Sequence, residues 1–381
     1  MVLASGVSSQ SQSLFKALPQ TVTAPSDNPT TPDKVALGRL LFWDPILSGQ
    51  NDVACATCHH PDAGYAESRD LSIGANGIGL GAARTFSAGS PVRIVKRNSQ
   101  TVLNAAFNGM ETSGHYDPVA APMFWDLRVR SLEAQALEPL KALDEMRGEA
   151  YTEDRAVPTV VSRLAANAEY RALFTKAFGG RSAVTEANLG RALAAFQRSL
   201  TATNAPFDRY MRGETTAMTA EQIAGMNRFE ATGCGNCHSG PMFSDFKAHV
   251  LAVPDNRQLT TSDTGVSSTY AFRTASLRNL AYTAPYMHNG VFNDLGDVVN
   301  FYNRISGGGG GGGGGGRGGG GGRGINNNVT RAQIDPLARQ LNMRGRGRQN
   351  ELVAFLNALS DESFDRTIPE RVPSGLKVGG N

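Results

Sequence analysis

The 381-residue sequence contains no apolar run approaching the roughly 20 residues that a membrane-spanning helix requires. It also lacks a dominant charge. Lys+Arg number 37 against Asp+Glu 34, a balance that does not mark a nucleic-acid or membrane-surface specialist. No stretch alternates polar and apolar residues between hairpin turns, which excludes a mainly β class. With 40% hydrophobic and 19% charged residues, global disorder is excluded as well. The length suits two or three domains with proper cores. Met1 to Gln20 carries neither a basic n-region nor an apolar h-region.

Cysteine is scarce, and its placement is informative. All four cysteines fall in two copies of one pattern, Cys55-Ala56-Thr57-Cys58-His59 and Cys234-Gly235-Asn236-Cys237-His238. Two thiols three positions apart can bond to the two vinyl groups of one haem, and the adjoining imidazole can ligate its iron. No thiol then remains for a disulfide. A zinc site and a redox dithiol are the alternatives, but zinc does not require His after each pair, and a dithiol motif belongs between a strand and a helix. Two covalently bound c-type haems are therefore expected. Such attachment takes place outside the cytoplasm, so the chain is expected to be a mature or trimmed periplasmic protein.

Residues 1–30, rich in Ser, Thr, Pro and Ala, read as an extended lead-in. Thr31-Pro32-Asp33 is a cap, a first-turn Pro and an early acid, and predicts a helix to about Phe42. Ser131 caps a second helix that Pro139 closes or kinks, while Leu189, Leu193, Phe196 and Leu200 recur on one face of a third. Thr219 and Gln222 form a capping-box pattern ahead of Ile223, Met226 and Phe229, and Leu352, Phe355, Leu356 and Leu359 mark a last helix. The class is mainly α with long irregular loops, each half repeating helix, haem motif, loop and helix. Residues 307–324 hold sixteen glycines broken only by Arg317 and Arg323 and read as a flexible surface excursion. Arg344, Arg346 and Arg348 lie nearby, but no aromatic residue is present there to stack on bases, so a nucleic-acid tail is disfavoured.

The two haem motifs, 179 residues apart, occur with Phe124-Trp125-Asp126 and Thr283-Ala284-Pro285-Tyr286-Met287-His288-Asn289-Gly290. With Leu41-Phe42-Trp43-Asp44-Pro45, Arg97-Asn98, Thr101-Val102-Leu103-Asn104 and Leu277-Arg278-Asn279, the chain resembles the bacterial di-haem cytochrome c peroxidase and MauG family over residues 31–360. The resemblance implies two cytochrome c-like haem domains, 31–201 and 202–360, followed by a tail, 361–381. It also implies that the N-terminal haem reacts with hydrogen peroxide and that the C-terminal haem stores or relays electrons.

Carried onto this chain, the resemblance makes His59 and His238 the proximal iron ligands. The family's Gln, Pro and Glu stand ten, fourteen and twenty residues after its Trp, and those offsets from Trp125 give Gln135, Pro139 and Glu145. Glu145 is then the acid–base group, Gln135 a polar neighbour of bound oxygen, Pro139 a pocket wall, and Trp125 a stepping stone for electrons. Classical members also have a distal His, but no His occurs between His60 and His115. His115, in an insertion-like stretch, reads as structural or exposed, so the first haem is expected to be open, as in MauG. Fourteen residues beyond His288, where peroxidases have Met and MauG has Tyr, stands Tyr302, the expected sixth ligand of the second haem; Met287 and Met343 compete with it. Asn98, Thr283 and Pro285 fall at the family's calcium position. His288 and Arg278 are expected to support haem propionates or the inter-haem region.

The leading expectation is a peroxide-dependent di-haem oxidoreductase. Its electron donor would be a small cytochrome c or cupredoxin, or else a Trp or Tyr of a partner protein in a MauG-like maturation reaction. A non-catalytic di-haem electron carrier is the reading from another class, and the Gln135, Pro139 and Glu145 set argues against it.

Overall fold

A computed structural model describes residues 14–307, 324–343 and 349–380. The expectations for the glycine tract and for Arg344, Arg346 and Arg348 fall on 308–323 and 344–348, outside the described residues. The fold is mainly helical with little sheet. Among the described residues the strands form three two-stranded antiparallel ribbons, Gly77–Ile78 with Thr85–Phe86, Pro122–Met123 with Val129–Arg130, and Ala248–Val250 with Ala271–Arg273.

Local chemistry sets the helix boundaries. The Thr31 side chain accepts from the Lys34 amide at 3.4 Å and starts the helix Pro32–Trp43. Ser131 caps Leu132–Gln135 in the same way, and the chain breaks before Glu138–Lys141, where Pro139 occupies an early position that needs no amide donor. Thr219 and Gln222 form the reciprocal capping box at the start of Ala220–Ala231.

Each half is built on one close helix pair, and the two pairs use the same device. Pro32–Trp43 packs along Glu186–Ser199 with Gly38 against the Ala192 carbonyl; a Cβ on Gly38 would lie 2.1 Å from that oxygen. Four residues on, Phe42 meets Phe196 with ring centroids 5.2 Å apart. In the other half Ala220–Ala231 packs along Gln349–Ala358, Gly225 sits against the Glu351 carbonyl with a corresponding distance of 1.9 Å, and Phe229 meets Phe355 at 5.4 Å. Glycine is required at both points because the backbones touch. Phe42 and Phe229 also approach His59 and His238, at 6.5 and 6.3 Å, so each helix pair fixes its own haem-motif histidine.

The end segments cross over. Phe15 is buried in the C-terminal core among Phe229, Phe243 and Phe355, whereas Phe364 and Val372 are buried in the N-terminal core. Burying one such ring is worth about 1.5–3 kcal/mol, enough to hold a short segment in place. The tail is fastened further where Thr57 donates to the Gly379 carbonyl at 2.8 Å and Tyr65 to that of Asp365 at 2.8 Å.

Candidate active site

A cavity of about 820 Å³ lies between the halves and is lined by both cysteine motifs. Cys55–Cys58 is a single helical turn that delivers His59, and Cys234–Asn236 is a tighter turn leading to Cys237 and His238. The two imidazoles are held alike. His59 Nδ1 lies 3.1 Å from the Tyr65 carbonyl, and His238 Nδ1 lies 2.9 Å from that of Phe243. A ring whose Nδ1 donates to a carbonyl presents Nε2 as a free lone pair, the form a metal requires. Burial lowers the pKa of both histidines and so favours that neutral form. Both thiol pairs and both histidines fit c-type haem attachment.

Gln135, Pro139 and Glu145 all line the cavity, although they come from three consecutive short elements. The break before Pro139 turns the chain, and the wide turn Leu143–Arg147 then brings Glu145 back toward the cavity. Burial, with the neighbouring Asp144 carboxylate, raises the Glu145 pKa to about 7. A carboxyl that titrates near neutrality can both give and take a proton.

Trp125 lies in the loop closed by the Pro122–Met123 and Val129–Arg130 ribbon, and it also lines the cavity. Its indole Nε1 donates to the Asn98 carbonyl at 3.0 Å, and the Asn98 amide donates to the His288 carbonyl at 2.8 Å. The His288 ring stacks on Phe272 with centroids 3.6 Å apart and meets Trp125 edge-on at 6.5 Å. Burial pushes the His288 pKa down to about 3, so the ring is neutral. Arg97 bridges the halves here, pairing with Asp126 at 2.6 Å and with Asp263 at 2.5 Å. Asn98 gives its side-chain nitrogen to the Arg69 and Asp70 carbonyls at 3.1 and 3.2 Å, which leaves its side-chain oxygen to act as a donor to a cation. Thr283 and Pro285 line the same cavity as Asn98.

Tyr302, on the helix Leu295–Ile305, lines the cavity, as do its competitors Met287 and Met343. Burial raises the Tyr302 phenol pKa, and the Cys234 and Cys237 sulfurs raise it further. His115 is exposed in the Glu111–His115 turn and does not reach the cavity. His60 lies off the cavity against Trp43. Arg278 also lines the cavity; its guanidinium pairs with Asp208 at 2.8 Å and donates to the Pro241 carbonyl at 2.7 and 2.8 Å, which joins segments of the C-terminal core.

Two cavity residues escaped the sequence reading. His249 bonds the Asp335 carboxylate at 2.7 Å and that of Asp245 at 3.0 Å; hydrogen bonding to Asp245 first, with help from Cys237 and Asp335, raises its pKa to about 11. The four-residue spacing of Asp245 and His249 was the only local signal. Arg273 is the other, and nothing near it in sequence announces its position.

This arrangement fits the class of di-haem c-type cytochromes. Residues 32–216 match the family described as "Di-haem cytochrome c peroxidase". The chain is 33% identical over 357 residues to the methylamine utilization protein MauG of Methylorubrum extorquens, covering 92% of this chain and 85% of the relative. It is also 33% identical to cytochrome c551 peroxidase of Pseudomonas aeruginosa, covering 76% and 77%. Among solved structures, a MauG-like protein associated with microbial copper homeostasis superposes with a TM-score of 0.69 at 26% identity, covering 91% of this chain and 95% of that one. The diheme peroxidase BthA of Burkholderia thailandensis shares the fold, with a TM-score of 0.65 at 22% identity and coverage of 95% and 94%. The chain belongs to the di-haem cytochrome c peroxidase and MauG family and is an enzyme of that family, with two c-type haems implied by its paired motifs. Hydrogen peroxide and an electron donor are its reactants as the family implies. Among the described residues no helix is long and apolar enough to cross a membrane.

Proposed function

We propose that this chain consumes hydrogen peroxide at its N-terminal haem, held by Cys55, Cys58 and His59, and oxidises an external donor through its C-terminal haem, held by Cys234, Cys237 and His238. Bound haem supplies the iron chemistry that takes electrons from the donor and gives them to peroxide. The observation that carries the reading is the convergence of Gln135, Pro139 and Glu145 with both cysteine motifs on one cavity wall system.

Glu145 takes the proton from incoming peroxide and returns it to the departing oxygen, a role suited to a carboxyl balanced near pH 7. Gln135 orients the oxygen by hydrogen bonding, and Pro139 narrows the space beside it. Trp125, fixed by the Asn98 carbonyl, is the stepping stone between the halves. Asn98, Thr283 and Pro285 hold calcium at the seam. The absence of His115 from the cavity supports a first haem that is open without reductive activation. We place the protein in the periplasm, where covalent haem attachment is completed, with a small cytochrome c or cupredoxin as donor.

A second reading is favoured by Tyr302, which lines the same cavity as Cys234 and Cys237 and stands at the offset from His288 at which the resemblance gives MauG its ligand. On that reading the donor is a Trp or Tyr of a partner protein, as in a maturation reaction. The test is the absorption spectrum of the ferric holoprotein before and after one equivalent of peroxide. Rapid spectral change is expected, whereas two irons inert to peroxide would make the protein an electron carrier.

A further inference from the structure

Among the described residues, Arg273 is a buried cation of the cavity with no counter-ion. It ends the Ala271–Arg273 strand, is 6% exposed, and lines the cavity. Its Nε donates to the Phe124 carbonyl at 2.9 Å, and its backbone amide donates to the Trp125 carbonyl at 2.8 Å. The Phe246 ring covers the guanidinium at 5.7 Å. Nη1 is fully buried and has no hydrogen-bond partner. Burial alone lowers the pKa of the group, to about 10, with no acidic neighbour acting on it. The contrast with Arg278 is direct, because that equally buried guanidinium has Asp208 and a backbone carbonyl.

A buried guanidinium with an unmet donor is costly unless an anion reaches it. Since Arg273 lines the cavity, the anion that meets it comes with the occupant of the cavity. A haem bound through the cysteine motifs is apolar except for its two propionate carboxylates, and Arg is the side chain best shaped to receive one.

We propose that Arg273 is a positioning residue that receives a haem propionate on Nη1 and, through Nε and its own amide, ties that carboxylate to the backbone of Phe124 and Trp125. The inference rests on the reading of the cavity as a di-haem site. Its consequence is that haem seating and the placing of the inter-haem tryptophan are one event: the guanidinium that fixes the carboxylate edge also fixes the loop that carries the indole. The same positive charge disfavours the more positive, oxidised iron and keeps the propionate ionised.

The test is a spectroelectrochemical titration of both haems at pH 6, 7 and 8 in the holoprotein, in R273Q and in R273K. In R273Q the potential of at least one haem should shift negative. Its pH dependence should also exceed that of the wild type, in which Glu145 already titrates near 7, because the propionate now titrates near neutrality as well. R273K should shift less, in the same sense, since lysine keeps the charge but cannot serve the propionate and the Phe124 carbonyl together. Fully loaded R273Q with wild-type potentials at all three pH values would overturn the proposal while leaving the di-haem reading intact. Should R273Q yield no holoprotein, wild-type potentials in R273K would overturn it instead. Wild-type protein carrying fewer than two covalent haems by pyridine haemochrome assay would overturn both.

Discussion

The backbone amide of Asn98 donates to the carbonyl of His288 over 2.8 Å, joining the segment after the first haem motif to the opposite half of the molecule. The same residue receives the Trp125 indole on its carbonyl and gives its side-chain nitrogen to two backbone carbonyls. Every Asn98 group except the side-chain oxygen is thus engaged, the backbone amide across the seam and the others within the N-terminal half. A cation bound there would tighten contacts that already hold Trp125.

Calcium removal should therefore perturb both haem spectra and slow transfer between the haems. Chelation followed by absorption spectroscopy checks the first effect, and stopped-flow kinetics the second. Asn98→Ala should reproduce the chelated state without chelator. Purified holoprotein with no calcium by elemental assay would remove Asn98, Thr283 and Pro285 from metal binding.

Glu145→Gln should leave both haems attached and slow the peroxide reaction by about 10²–10⁴-fold, the usual contribution of a positioned acid–base group. The pH dependence has a defined sign. The Glu145 pKa is raised to about 7, first by burial and then by the charge of Asp144. The folded state therefore holds this proton at pH values where an unfolded glutamate has lost it. Its stabilising contribution is complete below the ordinary carboxylate range and is lost as pH rises through about 7. Glu145→Gln should accordingly raise the melting temperature relative to wild type at pH 8 more than at pH 5. Asp144→Asn should move the kinetic limb near pH 7 to lower pH, and an unmoved limb would assign it to another group.

The helix pairs supply a stability prediction. Gly38→Ala places a methyl 2.1 Å from the Ala192 carbonyl oxygen, and Gly225→Ala places one 1.9 Å from that of Glu351. Each should cost about 1–3 kcal/mol, the usual range for overpacking, read as a lower denaturation midpoint. Gly324→Ala, where a Cβ meets nothing within 4 Å, is the matched control and should change little. Equal midpoints in all three would mean that the helix pairs adjust freely.

Much of the site was legible because its signals are local or fall at fixed offsets. The cysteine motifs name their own histidines, the caps at Thr31, Ser131 and Thr219 set real helix starts, and counting from Trp125 found three residues that share a cavity. What escaped depends on contacts between distant segments. Arg278 lines the cavity, but its pairing with Asp208, 70 residues away, leaves no local signal in the sequence. Arg273 was overlooked because only the folded ribbon sets it beside Trp125. His249 owes its raised pKa first to Asp245, four residues before it, but also to Asp335, 86 residues distant, and the burial of Phe15 in the opposite core leaves no mark in the composition of the lead-in.

Tyr302 decides between the two donor classes. Its side chain is half-buried, and desolvation raises the phenol pKa, so the protein alone keeps the proton on. An anionic phenolate at this point requires a strong cation close to the oxygen, and ferric iron is such a cation. Ligation should lower the potential of the C-terminal haem, whereas a Met thioether from Met287 or Met343 would raise it. Tyr302→Phe should therefore change the absorption and electron paramagnetic resonance spectra of that haem while both haems remain covalently bound, and Tyr302→Met should raise its potential. If the phenylalanine variant keeps the wild-type spectra, Tyr302 is packing against Phe301, the sixth ligand passes to Met287 or Met343, and the protein joins the peroxidases that accept electrons from a small donor protein.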